Sequence, residues 1–220
     1  TFKDYLGLIK KKEIISLGYN KDQIQPSSID LTLSDECYEI KYSFLASNTK
    51  VRDKLENLIV KKINLNKKFV FEINKTYLVR LNEKLNLKNN IFGVCNPKSS
   101  TGRLDIFCRT IVDYTDEYEK IPLNYKGEVF IEITSRSFRI EFEKGCKLNQ
   151  LRLIYNKRVY LSDKEIKNLN KINRVIFNNS INNNFNIDNG IKVSIDLSKK
   201  NIIIAYYAKK NTPILVFKKV

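Results

Sequence analysis

The sequence predicts a mainly β protein, a barrel or sandwich, on three observations. Apolar and polar residues alternate over many short runs, the period of a half-buried strand. Asn-, Gly- and Lys-rich turns separate these runs at close spacing, leaving little room for helices between them. The 220 residues are 42% hydrophobic and 29% charged, a globular composition with enough chain to bury a core.

Asp4 to Leu17 places apolar residues at Tyr5, Leu6, Leu8, Ile9, Ile14, Ile15 and Leu17, predicting a short N-terminal helix capped by Asp4 and stopped at Gly18. Ile24 to Ser34, "IQPSSIDLTLS", alternates behind Pro26 and reads as a strand. Further strands are expected at Cys37–Leu45, Phe69–Ile73, Tyr77–Leu81, Ile91–Cys95, Leu104–Ile111, Gly127–Thr134, Phe138–Phe142 and Leu148–Tyr155. Ser162 and Glu165 form a capping box that opens a short helix through Leu169. Phe177 to Asn189 is Asn-rich and aperiodic, a linker or exposed loop.

One internal repeat is present. Ser28-Ile29-Asp30-Leu31 recurs as Ser194-Ile195-Asp196-Leu197, and an aromatic-rich β segment follows each copy, Tyr38 to Phe44 and Ile202 to Tyr207. The domain plan is therefore residues 1–160 as a first domain, 161–189 as helix and linker, and 190–220 as the opening of a second, truncated repeat. With no Met, the chain is expected to be a trimmed product or a fragment.

The chain has no His, which removes Ser-His-Asp and Cys-His nucleophile systems, HExxH sites and the His-containing zinc deaminase signature. Cys37, Cys95, Cys108 and Cys146 have no CxxC spacing and are expected to be reduced thiols, not zinc ligands. Apolar runs are too short for a membrane helix and no leader opens the chain, so a cytoplasmic protein with no membrane partner is expected. The net charge of +16 suits anionic partners. However, 31 of the 40 basic residues are Lys and are spread out, and 26 Asn accompany them, so compositional drift toward AT-rich codons explains the charge as well as a nucleic-acid surface does.

Two segments carry chemistry. "NPKSSTGR", Asn96 to Arg103, sets Lys98 and Arg103 to hold phosphate charge and Ser99 and Ser100 to donate to phosphate oxygens. Gly102 within it lets backbone N–H groups approach closely, although such residues also cluster in ordinary turns. In "GEVFIEIT", Val129, Ile131 and Ile133 face one way and Phe130, Glu132 and Thr134 the other. If both faces are covered, Glu132 is a buried carboxylate suited to general acid–base work; from the segment alone, an edge-strand Glu in water is the plainer reading.

These segments, in this order, resemble the dCTP deaminase branch of the dUTPase-like superfamily. "IQPSSIDLTLS" is similar to that family's N-terminal strand motif, "NPKSSTGRLDIF" to its phosphate motif, "YKGEVFIEI" to its catalytic strand and "KGCKLNQLRLIY" to its later hairpin motif. The second copy near Gly190 resembles the long, two-repeat members of alphaproteobacteria. The resemblance implies a distorted jelly-roll, dUTPase-like β-barrel with a short helix at its N-terminus and another after the barrel. It also implies a homotrimer or hexamer with sites at subunit interfaces. The implied reaction is hydrolytic deamination of dCTP to dUTP and ammonia, without zinc and with Mg²⁺ carried on the triphosphate. Glu132 matches the family's proton-shuttling glutamate, Ser99 and Arg103 the pair that holds the base and steadies developing charge, and Ser100 and Gln150 the triphosphate contacts. Lys98 stands where shorter members carry Arg, keeping the charge without the bidentate fork. Their compact "HRIDPGxxG" turn is replaced by the longer, acidic "RTIVDYTDEYEKIPLNYKG", in which Asp113 keeps the Asp role and nothing replaces the Arg.

Three readings compete. A dCTP deaminase is favoured over a dUTPase because the resemblance assigns Glu to deaminases, and an apolar residue to dUTPases, five positions beyond Gly127, where this chain has Glu132. A bifunctional enzyme doing both steps is a variant of these two, and the third reading is a binding module, either a non-catalytic nucleotide-binding repeat or a nucleic-acid binder. A nucleic-acid binder ranks last because no DNA- or RNA-reading motif is present. Asp30 and Asp196 read as structural, Arg109 and Arg136 as solvated or ion-paired, and Tyr114, Tyr118 and Tyr125 as packing residues.

Overall fold

The computed structural model describes residues 1–16, 18–156, 160–176, 186–193, 195, 197–198 and 203–217. They form two compact units, Thr1–Asn156 with Ala208–Val220, and Lys157–Tyr207. In the first unit, α1 (Phe2–Lys10) and β1 (Ile14–Ile15) lead into the long β2 (Ile29–Ile40). Then come α2 (Val51–Leu55), β3 (Ile59–Asn64), β4 (Phe69–Phe71), β5 (Thr76–Asn86), β6 (Ile91–Pro97) and the one-turn α3 (Ser99–Arg103). β7 (Ile106–Val112), β8 (Lys120–Ile121), β9 (Lys126–Ser135), β10 (Ile140–Phe142) and β11 (Lys147–Tyr155) follow. The second unit holds α4 (Asp163–Ile172), and β12 (Leu215–Val216) returns to the first.

The main sheet runs β7-β9-β5-β2-β11-β6-β8, with β1 on β5 and β3 on β2. β2 is its corner: residues 29–32 pair with β11, and the remainder with β5 and β3 across a register shift between Leu33 and Cys37. β5 shifts register on its β9 side between Arg80 and Lys84, and irregularities of this kind bend a sheet toward closure. Asn149 of β11 donates to Thr110 Oγ1 of β7 at 2.8 Å, a bond across the barrel between strands that are not neighbours in the sheet. The result is a mainly β, nearly closed barrel with short helices at its N-terminus and after it, as the sequence predicts.

Strand alternation divides the apolar residues between two layers. Leu31, Leu33, Tyr77, Val79, Ile106, Cys108, Val129, Ile131 and Ile133 fill the barrel. On the outer face Leu78, Ile111 and Phe130 join Ile40, Ala46, Val51, Leu55 and Leu58, so the 41–58 connection with α2 covers that side of β5, β9 and β7. Glu83, fully buried on β5, is met by Gln23 Nε2 at 2.8 Å, Thr32 N at 2.9 Å and Thr32 Oγ1 at 2.8 Å. Burial still raises its pKa, because these donors do not replace the lost water in full.

The N-terminal helix is shorter than the sequence predicts. It ends at Lys10, Lys12 takes a left-handed φ of 57°, and Ile14 leaves to pair with Leu85 of β5. Burying Ile14 in the barrel outweighs another turn of exposed, Lys-rich helix. The 51–64 region, not assigned to any element from sequence, holds α2 and β3. The capping box at Ser162 is present, with Ser162 Oγ accepting from Glu165 N, and α4 runs to Ile172. Leu17, residues 177–185 of the expected linker, and Ser194, Asp196 and Ile202 of the second copy lie outside the described residues. Residues 203–209 carry no strand; the strand near the end of the chain is β12, pairing in parallel with β10 through Ile140 and Glu141. All four cysteines are buried. Among the described residues no helix is long and apolar enough to cross a membrane.

Candidate active site

β9 lies between β7 and β5, and Glu132 faces Arg109 on one side and Leu78 on the other. Its side chain points to the outer layer with Phe130, away from Ile131 and Ile133, as the alternation requires. The 41–58 cover makes that layer an interior, and Glu132 is only 3% exposed. Arg109 donates to Glu132 Oε1 from Nε at 3.1 Å and from Nη2 at 2.5 Å. Oε2 is buried and, among the described residues, accepts nothing. The guanidinium lies 4.1 Å over the Tyr118 ring and also donates to Ser43 Oγ at 2.9 Å, while Ser43 and Tyr118 share a hydrogen bond of 2.7 Å. A buried carboxylate with one oxygen held and one open can take up and return a proton.

The second group forms where β6 ends. Lys98 N donates to Leu148 O at 2.9 Å, and the buried Thr101 donates its hydroxyl to the same carbonyl at 3.0 Å, pinning α3 to β11. Thr101 faces inward, so Ser99, Ser100, Gly102 and Arg103 stand exposed. Lys98 Nζ pairs with the carboxylate of Asp30, which is 1% exposed and whose Oδ1 has no partner among the described residues. Gln150 lies opposite Asp30 on β2 and Asn96 on β6, with Oε1 accepting from Ser28 Oγ at 3.0 Å. Lys98 and Ser100 also border a cavity of about 410 Å³ shared with Leu104, Lys147, Leu215 and Phe217.

The predicted residues thus fall into two groups. Lys98, Ser99, Ser100, Gly102, Arg103 and Gln150 gather around α3 and the β2–β11–β6 seam. Glu132 sits on β9 with Arg109, and among the described residues no hydrogen bond or ion pair joins it to Ser99, Ser100, Arg103 or Gln150. Asp113 has a structural partner: its Oδ1 accepts from Val51 N, the first residue of α2, at 2.8 Å. A Cβ on Gly102 would meet nothing within 4 Å, so this chain's own packing does not require glycine there. Tyr125 packs as expected, buried with its hydroxyl on Glu128 O at 2.7 Å. Arg109 is ion-paired as expected; that its partner is Glu132, and that Ser43 and Tyr118 stand behind it, is not legible in the sequence. The signal is physical: a Glu on a doubly covered strand needs a cation, and Arg109 lies on Leu104–Ile111, the preceding strand expected from sequence.

A family model of the 2'-deoxycytidine 5'-triphosphate deaminase (DCD) N-terminal domain matches residues 3–157. The chain is 26% identical to the "dCTP deaminase, dUMP-forming" of Methanocaldococcus jannaschii over 168 residues, covering 68% of this chain and 78% of that one. The crystal structure of 2'-deoxycytidine 5'-triphosphate deaminase from Agrobacterium tumefaciens superposes with a TM-score of 0.87 at 32% identity, covering 98% of this chain. The chain spans 64% of the length of that Agrobacterium protein.

Proposed function

The chain belongs to the dCTP deaminase N-terminal domain family, and from that premise we propose that it carries out hydrolytic deamination of dCTP to dUTP and ammonia, in the cytoplasm. The observation that carries the reading is the Glu132 carboxylate, enclosed on β9 with one oxygen anchored and the other open. In this reading Glu132 takes a proton from water as the water oxygen bonds to cytosine C4 and passes it to ring N3, then takes the second proton from the C4 hydroxyl as the carbonyl forms and passes it to the departing 4-amino group. The C4–N bond breaks and ammonia leaves. Imidazole and zinc have no part in this scheme. Ser99 and Arg103 hold the base and steady the charge that builds on the ring, and Lys98, Ser100, Gly102 and Gln150 receive the triphosphate. Between residues 98 and 103 the outward side chains offer the Lys98 ammonium, the Ser99 and Ser100 hydroxyls and the Arg103 guanidinium, with no carboxylate in that run. That donor set suits a Mg²⁺ coordinated by the phosphates themselves, whose role when bound is to neutralise triphosphate charge.

Glu132 on β9 and Ser99–Arg103 in α3 form two groups within one chain, and in this reading a neighbouring copy completes each site, in a homotrimer or hexamer. Residues 190–220 are read as the start of a second repeat. The test is to incubate the chain with dCTP and Mg²⁺, following ammonia and nucleotides by chromatography, beside Glu132→Gln. Ammonia from the wild type and a loss of about a thousandfold or more in the folded variant are expected; equal rates would overturn the assignment. The dUMP-forming name of the Methanocaldococcus relative favours one second reading, a bifunctional enzyme, for which dUMP and pyrophosphate would appear with the ammonia.

A further inference from the structure

We propose that Arg109 is the positioning residue of the Glu132 carboxylate: its guanidinium holds Oε1 from two nitrogens and thereby presents Oε2, alone, to the reacting water and base. This rests on the deaminase reading above. A carboxylate on a strand turns about its terminal torsion, which is broad and roughly two-fold, and a free one would share its proton affinity between two orientations. Here the turn is blocked, because Nε and Nη2 of Arg109 both close on the same oxygen, at 3.1 and 2.5 Å. That is an off-centre grip; the usual fork takes both carboxylate oxygens and leaves neither for chemistry. The opposite neighbour, Leu78, offers no donor, and among the described residues Oε2 stays buried and unpartnered.

The grip is itself braced. Ser43 Oγ accepts from Arg109 Nη2 at 2.9 Å, and the Tyr118 ring lies under the guanidinium at 4.1 Å, with Ser43 and Tyr118 bonded to each other. Ser43 and Tyr118 come from two different connections, residues 41–50 and 113–119, which meet over the outer layer. Arg109 thus has the position of a support set by three separate segments, and it is 40% exposed on its outer side. The exposure makes the site reachable by a small cation from solution.

The test uses the full chain. Arg109→Ala is expected to lower kcat for dCTP about a hundredfold with KM within about threefold, because it removes alignment and not a substrate contact. Millimolar guanidinium should restore at least tenfold of the loss, and methylammonium, which lacks the planar pair of donors, much less. Arg109→Lys keeps the charge if Arg109→Ala folds poorly, and should hold KM while recovering only part of kcat. NMR reads the grip without turnover: the Arg109 Nε–Hε signal should be protected from exchange in the wild type and lose protection in Glu132→Ala, which removes the accepting oxygen. An unchanged kcat in both Arg109 variants, an unprotected Hε, or a KM effect that exceeds the kcat effect would overturn the positioning role while leaving the deaminase reading intact. A wild-type chain that releases no ammonia would overturn the deaminase reading, and the positioning role with it, even with the Hε signal protected.

Discussion

The Asp113 carboxylate accepts the backbone N–H of Val51 at 2.8 Å, tying the loop after β7 to the first turn of α2. Two backbone bonds reinforce the tie, Tyr114 N to Thr49 O at 3.0 Å and Ser47 N to Thr115 O at 2.8 Å. The residue that matches the Asp of the family's turn therefore fastens the cover over Glu132. Asp113→Ala should cost about 1 kcal/mol in chemical unfolding and raise proteolysis within residues 41–58. Asp113→Asn keeps the accepting oxygen and should restore most of that stability. A dCTP KM that rises in Asp113→Asn while stability is restored would assign the side chain to substrate as well.

Gly102 separates fold from function more sharply. It stands in α3 with open space where a Cβ would go, and its φ is not left-handed. Gly102→Ala should leave the unfolding free energy unchanged or raise it by about 0.5–1 kcal/mol, since alanine restricts the unfolded chain and suits a helix. A close approach of the triphosphate to this backbone would appear as a raised KM in a protein of equal or higher stability. Unchanged KM would remove Gly102 from the substrate contacts.

Glu36 predicts an acid-sensitive seam. Burial works against its ionisation, but hydrogen bonds from Arg52, Tyr38 and Arg80 outweigh that cost and hold its pKa down to about 2. Arg52 also donates to Glu128 at 2.6 Å, so α2 is fixed to β2 and β9 through one guanidinium. Because the folded pKa is depressed below the ordinary carboxylate value, this stabilisation is fully present above about pH 4.5 and is lost as pH falls toward 2. Arg52 is 44% exposed, and after allowance for solvent screening the contribution is about 1–2 kcal/mol. Urea midpoints of wild type and Glu36→Gln should differ at pH 7 and converge by pH 2; a constant gap would show that the loss comes from packing and not from the charge.

Period-two alternation is a local property, and the sequence by itself determined what depends on it. Val129, Ile131 and Ile133 face the barrel and Phe130 and Glu132 the other layer, as read from "GEVFIEIT". The Ser162–Glu165 cap spans four residues and was equally legible. The motif around Lys98 to Arg103 marked the exposed turn correctly, because Pro97 and the run of small polar residues act within that turn. What only the tertiary structure decided lies between distant segments. Ile14 leaves the helical pattern for Leu85, Lys98 is held by Asp30 68 residues away, and Glu132 is met by Arg109 and, behind it, Ser43. Each depends on strand register and on the irregularities that bend β2 and β5, quantities set by the packing of the whole barrel and carried by no single segment. The open oxygen of Glu132 belongs to this second kind, because it exists only where β7 delivers a guanidinium to one side and β5 delivers a leucine to the other.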